Sequence, residues 1–275
     1  MKYVNPFTDF GFKKIFGDEQ NKEVLIAFLN SLLPEIHQIK TLEFQKNERL
    51  GLYDYERKAI YDLYCENEKG DKFIVELQKS RQTYFKDRAL YYSTFPIREQ
   101  AEKGDWNFKL TAVYCIAILD FTFDARPQHL HIVQLKNQHQ QVFYDKLMFV
   151  YVEMPKFKKS VDELKTSADK WLYLFNNLAT LQSLPPSLEQ EAYFPRVMEM
   201  AALSQLSEAE MDAYHTSLKH RWDWNAVMET AVEAASEKAL QKERKENAIK
   251  MKNLGLSQEI ILQITGIDIN DLETK

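Results

Sequence analysis

The chain has 275 residues, 45% of them hydrophobic and 28% charged, with a formal net charge of −5. That allows one large core or two moderate ones, and no run of about 18 apolar residues occurs, which argues against a transmembrane helix. Near-neutral charge neither marks nor excludes a nucleic-acid partner, because metal-binding carboxylates offset the cations that face phosphate.

The start, MKYVNPFTDFGFKKIFGDEQ, places Asp and Lys where a signal peptide needs an unbroken apolar stretch, so a cytoplasmic location is expected. DEQNKEVLIAFLNSLLPE carries a stripe at Val24, Leu25, Phe28, Leu29, Leu32 and Leu33. This spacing predicts an amphipathic helix with Asp18 as N-cap and a stop near Pro34. IKTLEFQKN reads as a short strand, and RKAIYDLYCEN and DKFIVELQK as two longer ones around the turn formers of NEKGD. TYFKDRALYYSTFPIREQAEKG reads as a helix bent at Pro96. KLTAVYCIAILDF is a continuous apolar, β-branched run, as in a strand buried on both faces. HLHIVQLKN and KLMFVYVEMPKF complete a mixed sheet, giving an α/β sandwich up to about residue 155. Cys65 and Cys115 fall inside strand-like segments and read as reduced core thiols. Beyond residue 160 helices are expected at 160–181, 187–203, 207–218 and 222–250. Two short helices follow in NLGLSQEIILQITGIDINDLETK. The domain reading is 1–155, then a helical region 156–230, then 231–275 with the end of a long helix and a helix-turn-helix-like tail.

In KFIVELQKS, residues 72–80, Phe73, Val75 and Leu77 share one face while Ile74, Glu76 and Gln78 share the other. If the preceding turn centres on Lys69, residues whose numbers sum to 138 lie opposite one another. Asp62 then opposes Glu76, with Cβ atoms about 5 Å apart. Two like charges so close cost free energy unless a cation lies between them. Mg²⁺ takes one or two carboxylates plus waters and phosphate oxygens. Gln78 adds an amide that can hold a water or a phosphate oxygen. A solvated face with scattered acids is the alternative.

Asp on one hairpin strand followed by Glu-x-Gln on the next resembles the PD-(D/E)XK nuclease core. More narrowly, NPFTDFGFKKIFGDEQNKEVLIAFLNSLL, IYDLYCENEKGDKFIVELQ and RALYYSTFPIREQAEKGDWNFKLTAVYCIAIL, in order over residues 5–155, resemble the recombination-promoting nuclease (Rpn) family. The resemblance implies a restriction-endonuclease-like mixed β-sheet core flanked by helices, followed by an all-α C-terminal region. It also implies a Mg²⁺-dependent DNA endonuclease, active in recombination or defence against mobile DNA, with Asp62 and Glu76 as metal ligands. Gln78 stands where the superfamily usually has Lys. Glutamine can orient a water but cannot offset charge.

Arg88, Tyr91, Tyr92 and Phe95 share one face of the following helix. They read either as a phosphate clamp by Arg88 and Tyr91 or as an aromatic stripe with Arg at its rim. Lys13 is a further phosphate-contact candidate. Asp9 is either a turn cap or an additional acid, and Glu23 is a second acid of that kind. Lys79 is expected on the far face. His129, His131 and His139 have no Zn²⁺-like spacing with the cysteines and are expected at the surface or a strand edge. Lys242, Arg244, Lys245, Lys250 and Lys252 interleave with Glu243 and Glu246, as on a solvated helix face. The expected partners are DNA and, through the helical C-terminal region, a second copy of the chain, with no membrane. Two other functions remain open: a DNA-binding module of this fold that cleaves slowly or not at all, and a helical adaptor.

Overall fold

The computed structural model describes residues 2–49 and 59–272. It divides into two compact units, Met1–Ser217 and Leu218–Lys275.

The first unit opens with α1 (Asp9–Phe16), a helix that the sequence pattern does not announce. Thr8, not Asp9, is its cap: the Thr8 hydroxyl accepts from Gly11 N at 3.0 Å and donates to Asn5 O at 2.7 Å. Gly11 is required by space, since a Cβ there would lie 2.1 Å from Asn5 O. Asp18 caps a 3-10 turn, Glu19–Asn21, rather than the helix itself. α2 (Lys22–Leu32) follows and buries the expected stripe. Phe7, Phe12 and Phe16 meet Phe28, Trp171 and Phe175 in one aromatic cluster. Each such ring contributes about 2–3 kcal/mol by burial.

The sheet has six strands in the order β1-β4-β5-β6-β8-β7: β1 (Leu42–Phe44), β4 (Leu63–Asn67), β5 (Lys72–Gln78), β6 (Val113–Leu119), β7 (Leu130–Lys136) and β8 (Val142–Glu153). β5, β6 and β8 run parallel, and the remaining pairings are antiparallel. The parallel centre explains the unalternating apolar run of β6, all seven residues of which are buried. A separate two-stranded ladder joins β2 (Glu48–Arg49) to β3 (Ala59–Ile60). The single strand expected over RKAIYDLYCEN is therefore broken into β3 and β4, with Arg57 and Lys58 outside the described residues. α3 (Phe85–Arg98) crosses from β5 to β6 and holds Pro96 near its end. Cys65 and Cys115 are free and buried, as expected.

α4 (Ser167–Asn177), α5 (Pro186–Glu189) and α6 (Phe194–Ala201) replace the two longer helices expected over 160–203. The 3-10 turn Val161–Glu163, with its own capping box, delays the start of α4. α7 (Glu208–Asn253) joins the two helices expected at 207–218 and 222–250 into one of 46 residues, since nothing between them breaks the helix. In the second unit, α8 (Gln258–Thr265) and a 3-10 turn at Ile269–Leu272 close on the end of α7 around buried Ala248, Ile261 and Ile269. Gly266, at φ +69°, ends α8 in the left-handed region. Among the described residues, no helix is long and apolar enough to cross a membrane.

Candidate active site

The β4–β5 hairpin sets the site. Leu63 pairs with Val75, Tyr64 with Ile74, Cys65 with Phe73 and Glu66 with Lys72, so the turn centres on Lys69. Gly70 makes that turn at φ +80°, donating its N–H to Asn67 O at 3.0 Å. The Asn67 side chain accepts from Lys69 N and Asp71 N, both at 2.9 Å.

Asp62 and Glu76 are the next residues of that register, and there the regular ladder stops. Asp62 Oδ2 accepts the Leu77 N–H at 2.6 Å, a donor that a continuing strand would give to a backbone carbonyl. In return, the Asp62 N–H engages the Glu76 carboxylate. Asn47 holds the bend, donating to Asp62 O at 2.9 Å and accepting from Tyr61 N at 2.9 Å. Buried Tyr61 donates its hydroxyl to Tyr92 O at 3.1 Å, tying the bend to α3. The Leu77 bond thus holds the Asp62 carboxylate where its charge acts on Glu76.

Beside Glu76 lies a cavity of about 20 Å³, lined by Ile74, Glu76, Gln78, Arg88, Tyr92 and Tyr151 among others; Asp62 is not among its lining residues. That volume is room for one water-sized occupant. Glu76 Oε1 and Gln78 Oε1 are enclosed and lack a hydrogen-bond partner. A buried orphan polar group costs about 1–3 kcal/mol, so two on one face mark a place that favours a donor or a cation.

Burial, with the Asp62 charge added, pushes the Glu76 carboxyl up to about 8; Arg88, the Asp62 N–H and Lys13 oppose the rise. Burial also raises Asp62, against the Leu77 N–H; Asp9 adds to the rise, while Lys13 and Lys79 counter it. Both acids are therefore short of positive charge. A paired carboxylate set with adjacent orphan oxygens fits a hard divalent ion that keeps waters in its shell. Among the described residues, no group of three or more His, Cys, Asp or Glu side chains gathers as a metal-ligand set.

The remaining predicted residues fall into two groups. Arg88 lines the cavity, donates to Gln82 Oε1 at 2.5 Å and lies 5.9 Å from the Tyr92 ring. Lys13 and Asp9 form an ion pair of 2.9 Å on α1, and the charges of both reach Asp62. Lys79, placed on the far face by strict alternation, lies past the end of β5, and its charge also acts on Asp62. By contrast, Tyr91 is 44% exposed and packs against Tyr92 and Phe95. Glu23 is exposed in the first turn of α2; neither the cavity lining nor the charges acting on the two acids include it. Asn47 went unrecognised in the sequence, where it stands in an ordinary loop with no motif around it.

A family model described as PD-(D/E)XK nuclease family transposase matches residues 6–231. No curated protein and no solved structure matches the chain.

Proposed function

The chain belongs to the PD-(D/E)XK nuclease family transposases, and from that premise we propose that it is a Mg²⁺-dependent DNA endonuclease of the Rpn type, working in the cytoplasm in recombination or defence against mobile DNA. The observation that carries this reading is the Asp62–Glu76 pair, with Glu76 lining a small cavity and the Glu76 and Gln78 oxygens unpartnered.

Asp62 and Glu76 would hold the metal, which when bound supplies Lewis-acid polarisation of a phosphate oxygen and a water acidified toward neutrality. The protein's own groups do the rest. Gln78 orients the attacking water through its amide. Arg88, at the cavity wall, takes a non-bridging phosphate oxygen and offsets charge that Gln78 cannot. Lys13, on the side of α1, adds a second contact to the DNA backbone. The Leu77 N–H fixes the Asp62 carboxylate so that little reorganisation is needed on binding.

The neutral Gln78 also favours a second reading, in which the same site binds DNA but hydrolyses slowly. Plasmid nicking decides between them. Wild type with Mg²⁺ is expected to nick, and EDTA to stop it. Asp62→Asn and Glu76→Gln are each expected to lower the rate at least about 100-fold. Nicking that survives both substitutions would remove the site assignment. Salt-sensitive DNA retention without nicking would select the second reading.

A further inference from the structure

The second unit carries an apolar face that no other described residue of that unit covers. From Trp222 to Glu246 of α7 every residue is exposed except half-buried Met228. Yet Trp224, Val227, Met228, Ala231, Ala235 and Ala239 recur at three- and four-residue spacing along one side. Trp224 is 42% exposed, Val227 62% and the adjoining Val232 61%. Glu229, Glu233 and Glu237 fall on the opposite side at i,i+4 spacing. In proteins an amphipathic helix face is usually covered by packing, so this stripe calls for an occupant.

We propose that the occupant is the same stripe of a second copy, packed antiparallel about a two-fold axis between Ala231 and Val232. Two features of the sequence select that arrangement. The stripe is large at its N-terminal end and small at its C-terminal end. Antiparallel pairing about that axis sets Trp224 against Ala239, Met228 against Ala235 and Ala231 against Val232, so that wide meets narrow along the seam. An in-register parallel pair would stack Trp224 on Trp224 and leave the alanines facing one another.

The flanks agree. On one flank of the seam Asp223 lies within two residues of the level of Lys238 of the second copy, on the same side. The two-fold axis generates this opposite-charge pair twice. The acidic ladder Glu229–Glu233–Glu237 stays on the solvated side. This pairing stands apart from the nuclease reading and survives its failure.

Sedimentation equilibrium of the full chain over a concentration series tests it. A dimer of twice 32.5 kDa is expected, loosened by salt. Val227→Glu with Val232→Glu should give a monomer of unchanged helix content, since both side chains are exposed in the single copy. Asp223→Lys alone and Lys238→Asp alone should each raise the dissociation constant by about tenfold, and the two combined in one chain should restore it. Spin labels at His220→Cys should lie about 35 Å apart along the helix direction if the pair is antiparallel, against a helix spacing of about 10 Å if it is parallel. A monomer at every concentration, a double variant that stays weak, or a short label distance would each overturn the proposal.

Discussion

Replacing Glu76 by Gln keeps the shape of the side chain and removes its ability to ionise. In the folded protein that carboxyl titrates at about 8, against an ordinary 4.5. It therefore keeps its proton after the unfolded chain has lost its own. The folded state then binds more protons, so its stability is fully present below pH 4.5 and is lost as pH rises to about 8. At about 1.4 kcal/mol per unit, the full interval is worth up to about 5 kcal/mol. Charge sharing with Asp62 and local relaxation reduce that to about 2 kcal/mol between pH 6 and pH 8. Urea unfolding in EDTA at those two pH values measures it. With a denaturant slope near 2 kcal/mol/M, the wild-type midpoint should fall by about 1 M. That of Glu76→Gln should stay nearly level, so that the variant is the more stable protein at pH 8. Adding Mg²⁺ at about ten times its dissociation constant should return about 1.4 kcal/mol to the wild type at pH 8 and nothing to the variant. Parallel pH curves for the two proteins, or equal gains from Mg²⁺, would refute the account of a desolvated carboxylate that lacks a cation.

The orphan oxygen of Gln78 predicts that Gln78→Met raises stability by about 1 kcal/mol in urea unfolding while lowering plasmid nicking at least about tenfold. Glu153, wholly buried, accepts from Phe123 N at 2.8 Å and from His131 and Lys156, each at 2.7 Å. Burial alone would raise its carboxyl, but these donors hold it below its usual range. Glu153→Gln should therefore cost about 2–3 kcal/mol at neutral pH, a loss that shrinks in urea titrations as pH falls through the wild type's lowered value. Gly11→Ala should cost at least about 3 kcal/mol in thermal unfolding, because its methyl group meets the Asn5 carbonyl.

The hairpin was legible because its register depends on a short turn and a two-residue period, both written in CENEKGDKFIVELQ. Asn67 and Gly70 pin the turn, and the sum of 138 follows through four observed pairs. What strict alternation could not show is that Asp62 leaves the strand it was expected to continue. A carboxylate able to take a backbone N–H competes with the ladder itself, and that contest is decided by Leu77 and Asn47, residues 15 away on either side. The same limit accounts for α1. Its eight residues include a glycine and lack a long stripe, so its formation rests on the Thr8 cap and on aromatic contacts with α2 and α4 that no local window contains.

The mixed sheet, the buried thiols and the α-helical C-terminal region could be anticipated from residue pattern alone, because burial on both faces and helix periodicity are properties of short windows. The site's charge deficit could not. It arises where β5, the Asp62 bend and α3 enclose two carboxylates with Arg88 at the cavity wall. Alternation along β5 places Glu76 and Gln78 on one face, but only the closing of α3 over that face separates their oxygens from water. An exposed acid pair at the same register would be an ordinary solvated sheet surface. Enclosure is what turns the sequence pattern Asp…Glu-x-Gln into a place where a bound cation would lower the free energy of the folded chain.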